Sequence, residues 1–152
     1  MIIGFISVKG GVGKSTLAIN LSAYLRKYYS SKVLLIDFNL YNYSTKVYSE
    51  RNLMEFGDSL CEGIYPLKYF HLKIVKRIPP DLDRDFDILK KYYDYIVLDI
   101  PNDYNLIKLL EKYVDLYFLV VNPDIYSIFS NLYLYNFLDK NKVRVIANKV
   151  NG

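Results

Sequence analysis

The sequence predicts an α/β fold in which a mostly parallel central sheet is flanked by helices. Apolar runs of strand length alternate with segments of helical periodicity, which is the pattern of a parallel sheet covered by helices. A glycine-rich segment at 9–16, Lys-Gly-Gly-Val-Gly-Lys-Ser-Thr, stands between the first strand and the first helix. Two other strands end in an aspartate, Asp37 and Asp99. Because all parallel strands end at the same edge of a sheet, these features predict one shared site.

The first part of the chain has clear elements up to Asp37. The strand at 2–8 is the run Ile-Ile-Gly-Phe-Ile-Ser-Val, and the helix at 15–29 contains Leu-Ala-Ile-Asn-Leu directly after the loop. A second strand, 32–37, is apolar until it reaches Asp37. Turn-forming Gly63 and Pro66 interrupt the following region, where a helix near 45–56 is expected.

The alternation continues in the second part of the chain. Further strands are predicted at 72–78, 95–99, 116–121 and 143–148, and further helices at 81–92, 104–113 and 124–139. The helix at 124–139 has two apolar stripes, so it is either buried in the core, which is the default, or offers a second face to a protein partner. With 152 residues the chain is expected to form a single domain, 1–152.

Composition narrows the function classes. There are 20 basic and 16 acidic side chains, which give a formal charge of +4. A solvated protein surface is sufficient to explain this mild excess of positive charge, and contacts with DNA phosphates are the alternative. Small basic clusters occur at Lys73, Lys76 and Arg77 and at Lys140, Lys142 and Arg144. The single Cys61 excludes an internal disulfide. No apolar run reaches the roughly 20 residues of a membrane span, and no signal layout or membrane-targeting helix is seen, so a cytoplasmic location is expected.

The glycine-rich segment has the chemistry of a phosphate-binding loop. Glycines let backbone N–H groups turn toward an anion without interference from Cβ. Lys14 can then reach the outer phosphates of a nucleotide, and the Ser15 hydroxyl can bind Mg²⁺. A purely structural turn is the alternative, but such a turn needs no lysine on either side of three glycines.

Asp37 and Asp99 fit a magnesium site beside that loop. Mg²⁺ keeps several waters and is often held through one or two carboxylates together with phosphate oxygens. Both aspartates end strands that lead to the edge of the loop, so they can bind the metal through its waters. A helix cap or turn is the alternative role for an aspartate after a strand.

Several motifs resemble those of the ParA/MinD family of nucleotide-dependent dimerising ATPases, which have a deviant Walker A (P-loop) sequence. Val8 replaces the usual first glycine of the loop, and Lys9 supplies a second lysine. The segments 33–39, 93–101 (Walker B), 120–124 and 145–150 resemble the family's remaining motifs, so the resemblance covers 1–150. It implies ATP or ADP with Mg²⁺ as cofactors and an ATP-dependent homodimer, with a protein partner or nonspecific DNA as further expectations.

The resemblance also implies roles for individual residues. Lys9 would contact the phosphates of the opposite subunit, and the Asn148 side chain would pair with adenine, although a plain strand-end asparagine is the alternative. The expected nucleotide contacts are Lys9, Gly10, Gly11, Val12, Gly13, Lys14, Ser15, Thr16 and Asn148. The expected catalytic residues are Lys9, Lys14 and Asp37, and the expected magnesium ligands are Ser15, Asp37 and Asp99.

Three departures from the family bear on activity. Asn39 stands where the family's second motif usually has a second aspartate, so hydrolysis is expected to be slow or absent, because general-base help is worth roughly 10²–10⁴-fold. Ile100 replaces a common threonine, and the chain stops at Gly152, so the fold is expected to be reduced at its C-terminus. A non-hydrolysing ATP-bound module and a phosphoryl-activating metabolic enzyme are therefore the alternatives to a switch ATPase, and Lys9 argues against the enzyme.

Overall fold

The computed structural model describes residues 1–8, 13–39 and 59–148. The helix expected near 45–56 lies outside these residues, as do positions 9–12 of the glycine-rich loop. Every other predicted strand and helix falls within the described part of the chain and can be compared with the structure.

A seven-stranded sheet forms the centre of the molecule, with the order β3-β4-β2-β5-β1-β6-β7. Its strands are β1 (Ile2–Ile6), β2 (Val33–Asp37), β3 (Tyr65–Pro66), β4 (His71–Ile74), β5 (Tyr95–Asp99), β6 (Leu116–Val121) and β7 (Val143–Ala147). All neighbouring strands are parallel except β3, which pairs antiparallel with β4. This confirms the predicted α/β fold with a mostly parallel sheet.

The four described α-helices are α1 (Lys14–Tyr29), α2 (Leu82–Tyr92), α3 (Tyr104–Leu110) and α4 (Ile125–Phe137), and a 3-10 turn follows at Lys140–Lys142. Asp81 and Asp103 cap α2 and α3, because their carboxylates accept hydrogen bonds from the backbone N–H groups of Arg84 and Leu106. Helix α1 has no such cap, a difference that matters for the site.

The helices cover the sheet on both faces. Ala18 and Leu25 of α1 pack on one face, in a cluster with Phe5 and Val97 of the strands. Side chains of α2, α3 and α4 pack on the other face, in the larger cluster. The central strands β1, β2 and β5 are therefore covered on both sides, which is why their sequences are apolar up to their last residue and do not alternate with polar residues.

Gly4 lets the helices on the larger side approach β1. A Cβ at this position would lie 2.8 Å from the ring of Tyr117 and 3.3 Å from Ile100 Cδ1. Tyr117 is fully buried, and its hydroxyl donates a hydrogen bond of 2.7 Å to the carbonyl of Ile107 in α3. The glycine in this strand therefore makes room for an aromatic ring that ties the sheet to α3.

The predicted elements differ from the observed ones mainly at their ends. Strand 72–78 is shorter than predicted and ends at Ile74, and helix 104–113 ends at Leu110. The two-residue strand β3 was not predicted; its Pro66 is tolerated because β3 is an edge strand.

Two predictions about side chains need correction. Lys73 is 8% exposed, so the predicted basic cluster at 73–77 is not a continuous charged surface. Core packing describes only part of α4: Asn131 and Leu134 are buried, while Phe129, Leu132 and Tyr133 of the same helix are exposed.

Candidate functional site

The two strand-end aspartates lie side by side at the carboxyl edge of the sheet. Strands β2 and β5 are neighbours, and their register pairs Asp37 directly with Asp99. The Phe38 N–H donates a hydrogen bond of 2.9 Å to the Asp99 carbonyl, which continues the pairing of β2 with β5 one residue beyond the end of β2. Strand β1, which leads into the glycine-rich loop, pairs with the other side of β5. The topology thus gathers the predicted carboxylates at the edge where the loop begins.

Helix α1 begins at this edge, and the backbone N–H groups of its first turn have no acceptor within the helix. Its N-cap residue, Gly13, has φ 86° and ψ 16°, a left-handed conformation that glycine adopts without strain. Gly13 has no side chain with which to cap the helix, and the first turn of α1 contains no acidic residue. Ser15 and Thr16 in that turn are exposed. A helix start of this kind attracts an anion, because its N–H groups lack partners and the helix dipole is positive there.

The Lys14 ammonium is held by three acceptors at the strand ends. It lies 2.8 Å from Asp99 Oδ1, 3.1 Å from Asn39 Oδ1 and 2.5 Å from the Ile100 carbonyl oxygen. The Lys14 and Asp99 side chains are only 10% and 6% exposed. An ammonium has three N–H donors, so these contacts use all of them. The ion pair is thus largely removed from water, and its ammonium has an acceptor for each of its N–H donors.

Asn39 connects this lysine to Asp37. Its backbone N–H and its side-chain Nδ2 both donate to Asp37 Oδ1, at 2.8 and 2.7 Å, and Nδ2 also lies 3.4 Å from the Asp99 carbonyl oxygen. The Asn39 Nδ2 group faces acceptors and its Oδ1 faces the Lys14 ammonium. The bridge therefore needs both the donor and the acceptor of an amide side chain. An aspartate in this position would place a second carboxylate against Asp37, where like charges repel.

The donor set at this edge fits magnesium in the presence of a phosphate. Asp37 and Asp99 supply two neighbouring carboxylates, and Ser15 supplies an exposed hydroxyl at the start of α1. In the described part of the chain, no group of three or more His, Cys, Asp and Glu side chains could hold a metal by itself. Such a sparse set suits Mg²⁺, which takes its remaining ligands from water and phosphate.

Two asparagines that the sequence analysis did not single out hold the residue before the loop. The Asn102 side chain donates to the Val8 carbonyl, and the Val8 N–H donates to Asn131 Oδ1 at 3.3 Å. Asn131 is buried on a helix of otherwise apolar pattern. An asparagine next to the apolar stripes of this helix was the feature of the sequence that could have identified Asn131. For Asn102 the corresponding feature was its position three residues after Asp99.

The predicted adenine-binding residue lies farther along the same edge. Asn148 directly follows β7, and its backbone N–H donates a hydrogen bond of 2.9 Å to the Val121 carbonyl at the end of β6. Strand β7 is two positions from β1 in the sheet, a distance of about 10 Å at the usual strand spacing. The structure therefore brings Lys14, Asp37, Asp99 and Ser15 to one edge and places Asn148 on that edge two strands away. Lys9, Gly10, Gly11 and Val12 lie outside the described residues.

Comparison with protein families gives the class of this site. The model of the CobQ/CobB/MinD/ParA nucleotide binding domain matches residues 3–152.

No helix among the described residues is long and apolar enough to cross a membrane.

Individual relatives agree with the family model. The chain is 33% identical over 118 residues to an uncharacterized ATP-binding protein of Methanocaldococcus jannaschii, and the match spans 66% of this chain and 44% of that protein. The MinD cell division protein of Aquifex aeolicus has a similar structure, with a TM-score of 0.69 and 25% identity over 99% of this chain and 70% of its own. A plasmid partition protein of Borrelia burgdorferi has the same fold, with a TM-score of 0.73 and 23% identity over 99% of this chain and 80% of its own. The chain therefore belongs to the CobQ/CobB/MinD/ParA family of nucleotide-binding domains.

Proposed function

We propose that this domain is an ATP-binding switch of the ParA/MinD type, in which bound ATP brings two copies of the chain together. The observation that carries the proposal is the convergence of Lys14, Asp37 and Asp99 at the uncapped start of α1. The site offers a cation, two carboxylates and helix N–H groups that have no acceptor within the helix. A nucleoside triphosphate with Mg²⁺ requires groups of these kinds. The ATP-binding relative and the MinD and partition neighbours support the same class of function.

Nucleotide binding has to rearrange the lysine. The three acceptors around the Lys14 ammonium compete with the phosphates for the same N–H donors. Asp37 and Asp99 would hold Mg²⁺ beside the phosphates, where its charge would compensate the carboxylate that the lysine leaves. We therefore propose that ATP and Mg²⁺ bind together, with Ser15 as the hydroxyl ligand, with the loop residues 10–13 and Thr16 on the phosphates and with Asn148 on the adenine.

Lys9 is the residue proposed to make dimerisation depend on the nucleotide. The resemblance to ParA/MinD proteins implies that this lysine contacts the phosphates of the opposite subunit. Such a contact exists only when the γ-phosphate is present, so its binding energy shifts the population toward the dimer. The same lysine would stabilise charge that develops on the transferred phosphoryl group.

Mass measurement in solution tests the switch. The chain is expected to be monomeric with ADP and dimeric with Mg²⁺ and a non-hydrolysable ATP analogue. Lys9→Ala is expected to abolish the dimer while the nucleotide still binds. Lys90→Ala, which removes an exposed lysine from α2, is the matched control and should leave the dimer intact. Equal masses in both nucleotide states, unchanged by Lys9→Ala, would exclude the dimerising switch.

A second candidate function is a non-hydrolysing, ATP-bound structural or regulatory module. The Asn39 bridge favours it, because the amide is fully engaged with Asp37 and Lys14 and cannot accept a proton from water. Steady phosphate release that depends on Lys14 would exclude this module and support a slow ATPase with Lys14, Lys9 and Asp37 as catalytic residues. Negligible release with tight ATP binding would support the module.

The process in which the switch acts, and the DNA or protein that it acts on, are proposed from the structural neighbours alone. Plasmid partition and cell division are the processes that their names give, and both would use the same switch. Since ATP is an intracellular nucleotide, we place the action of the domain in the cytoplasm. Nucleotide-dependent binding to duplex DNA over a series of salt concentrations distinguishes a DNA cargo from a protein cargo.

A further inference from the structure

A second cleft opens at the opposite edge of the sheet from the nucleotide-binding residues. It lies between the end of α1, the start of β2, the β3–β4 hairpin and the end of α2, and it has a volume of about 620 Å³. This volume is within the range of cavities that hold small organic ligands, about 300–1,000 Å³. Strand β2 runs from Val33 at the cleft to Asp37 at the other edge, four residue steps or about 13 Å. The cleft is therefore separate from the site described above.

The charged side chains that line this cleft are all basic. Arg26, Lys32 and Lys68 contribute to its wall, and no Asp or Glu is among the described residues that do. The neighbouring Asp94 carboxylate is occupied by the backbone N–H of Lys32, at 2.7 Å. Helices α1 and α2 both end here, and the basic residues of their last turns offset the negative ends of the helix dipoles. The cations in the cleft thus favour an anionic ligand.

Aromatic rings form part of the remaining lining, beside aliphatic side chains. Tyr69, Phe70, Tyr92 and Tyr93 line the cleft, and the Tyr93 hydroxyl lies 2.8 Å from His71 Nδ1. Tyr92 is 67% exposed and Tyr69 is 36% exposed, so these rings present open faces. The Lys68 ammonium lies 5.2 Å from the centre of the Tyr69 ring, which places a cation and a ring surface side by side.

Further exposed rings lie outside the cleft, on the last turns of α1. Tyr24, Tyr28 and Tyr29 are 48%, 63% and 66% exposed. The ring of Tyr24 lies 4.7 Å from that of Tyr28 and 5.8 Å from that of Tyr29, and the Lys27 ammonium lies 5.4 Å from the centre of the Tyr28 ring. Exposed rings and a cation are therefore also present on the last turns of the helix whose Arg26 and Ser30 line the cleft.

We propose that this basic aromatic surface binds single-stranded nucleic acid, with bases stacked on the exposed tyrosines and phosphates next to Arg26, Lys32 and Lys68. A single strand can offer unstacked base faces, whereas a duplex keeps its bases paired and stacked. A cation-lined cleft with adjacent rings matches the chemistry of sequence-tolerant single-strand binding. An acidic peptide would use the cations but leave the row of tyrosine rings without stacking partners.

Fluorescence anisotropy with a labelled thymidine oligonucleotide tests the proposal on the full chain. Binding is expected to weaken as salt rises, with a log–log slope that loses about 1.4 in magnitude when Lys32→Gln and Lys68→Gln are combined, since each phosphate contact contributes about 0.7. Tyr92→Leu is expected to weaken binding about 5- to 150-fold, the range for loss of one stacked base. Excess ATP with Mg²⁺ should leave oligonucleotide binding unchanged, because the two sites lie at opposite edges of the sheet.

Matched variants separate this surface from general charge and aromatic effects. Lys140→Gln removes an exposed lysine at the far lateral end of the sheet, and Tyr133→Leu removes a tyrosine that is 65% exposed on α4. Both should bind the oligonucleotide as the parent chain does. The proposal is overturned if no saturable binding occurs at low salt, if duplex DNA binds at least as tightly, if ATP displaces the oligonucleotide, or if the control variants lose as much affinity as the cleft variants.

Discussion

Replacing Lys14 is expected to destabilise the nucleotide-free fold as well as abolish nucleotide binding. The Lys14–Asp99 ion pair has an Nζ–Oδ1 distance of 2.8 Å, and both side chains are at least nine-tenths buried. Lys14→Met therefore leaves a buried carboxylate without its cation. Breaking a buried pair by removing one partner typically costs about 3–5 kcal/mol. Against a total stability of about 5–15 kcal/mol for a domain, that is a large fraction.

Urea unfolding at neutral pH without nucleotide measures this cost. Asp99→Asn added to Lys14→Met is expected to restore most of the lost stability, because removing both charges eliminates the uncompensated buried ion. Lys108→Met is the matched control: its ammonium is 2.7 Å from Glu111 but the lysine is 52% exposed, so solvent screening should limit the loss to about 1 kcal/mol or less.

The comparison between these variants can refute the reasoning. A loss below about 1 kcal/mol for Lys14→Met would show that the pair is not desolvated as its burial indicates. Failure of Asp99→Asn to restore stability would show that the loss comes from packing rather than charge. If the destabilisation is confirmed, activity lost on replacing Lys14 has to be corrected for the unfolded fraction before it is assigned to catalysis.

Three further predictions follow from single positions. Asn39→Asp is expected to raise steady phosphate release by roughly 10²–10⁴-fold, because a carboxylate can act as a general base where the amide cannot, and an unchanged rate would show that the amide does not limit turnover. Gly4→Ala is expected to lower the free energy of unfolding by about 1–3 kcal/mol in a urea titration, since its Cβ would lie 2.8 Å from the Tyr117 ring, and an unaffected midpoint would contradict this. Burial raises the pKa of Tyr117, so the contribution of its neutral hydroxyl to stability is complete below the ordinary tyrosine pKa of about 10 and is lost progressively above it. Between pH 8 and pH 11 the free energy of unfolding should therefore fall more for the parent chain than for Tyr117→Phe, and equal falls would contradict this.

The positions of the predicted strands were confirmed where local pattern and burial agree. Strand β1 is apolar, and β2 and β5 are apolar up to their terminal aspartates, because both faces of the sheet are covered there, so these runs stand out in the sequence. The strand at 65–66 was missed because two residues carry no periodicity, and its pairing with β4 is a tertiary contact. Local sequence also did not indicate that Lys73 is buried, since burial depends on what packs against the side chain.

The sequence predicted which strand-end aspartates share one edge of the sheet, but not which side chains touch there. Asp37 and Asp99 each end a strand, and the common direction of parallel strands was enough to place them near the glycine-rich loop. The sequence identified Asn39 as an exception to a motif, whereas the structure shows it bridging Asp37 and Lys14. That bridge joins positions up to 25 residues apart in the chain, beyond the reach of any local pattern.

The sequence by itself determined the class of this protein, because a phosphate-binding loop needs glycines, a lysine and a hydroxyl at fixed local spacing between a strand and a helix. Its apolar runs likewise determined a parallel sheet, since only strands covered on both faces can be apolar throughout. Tertiary structure alone decided which groups touch. It paired Lys14 with Asp99, set Asn102 and Asn131 on Val8, and gathered tyrosines and lysines at the opposite edge of the sheet. These contacts depend on strand order and helix packing, which no short segment of the chain specifies.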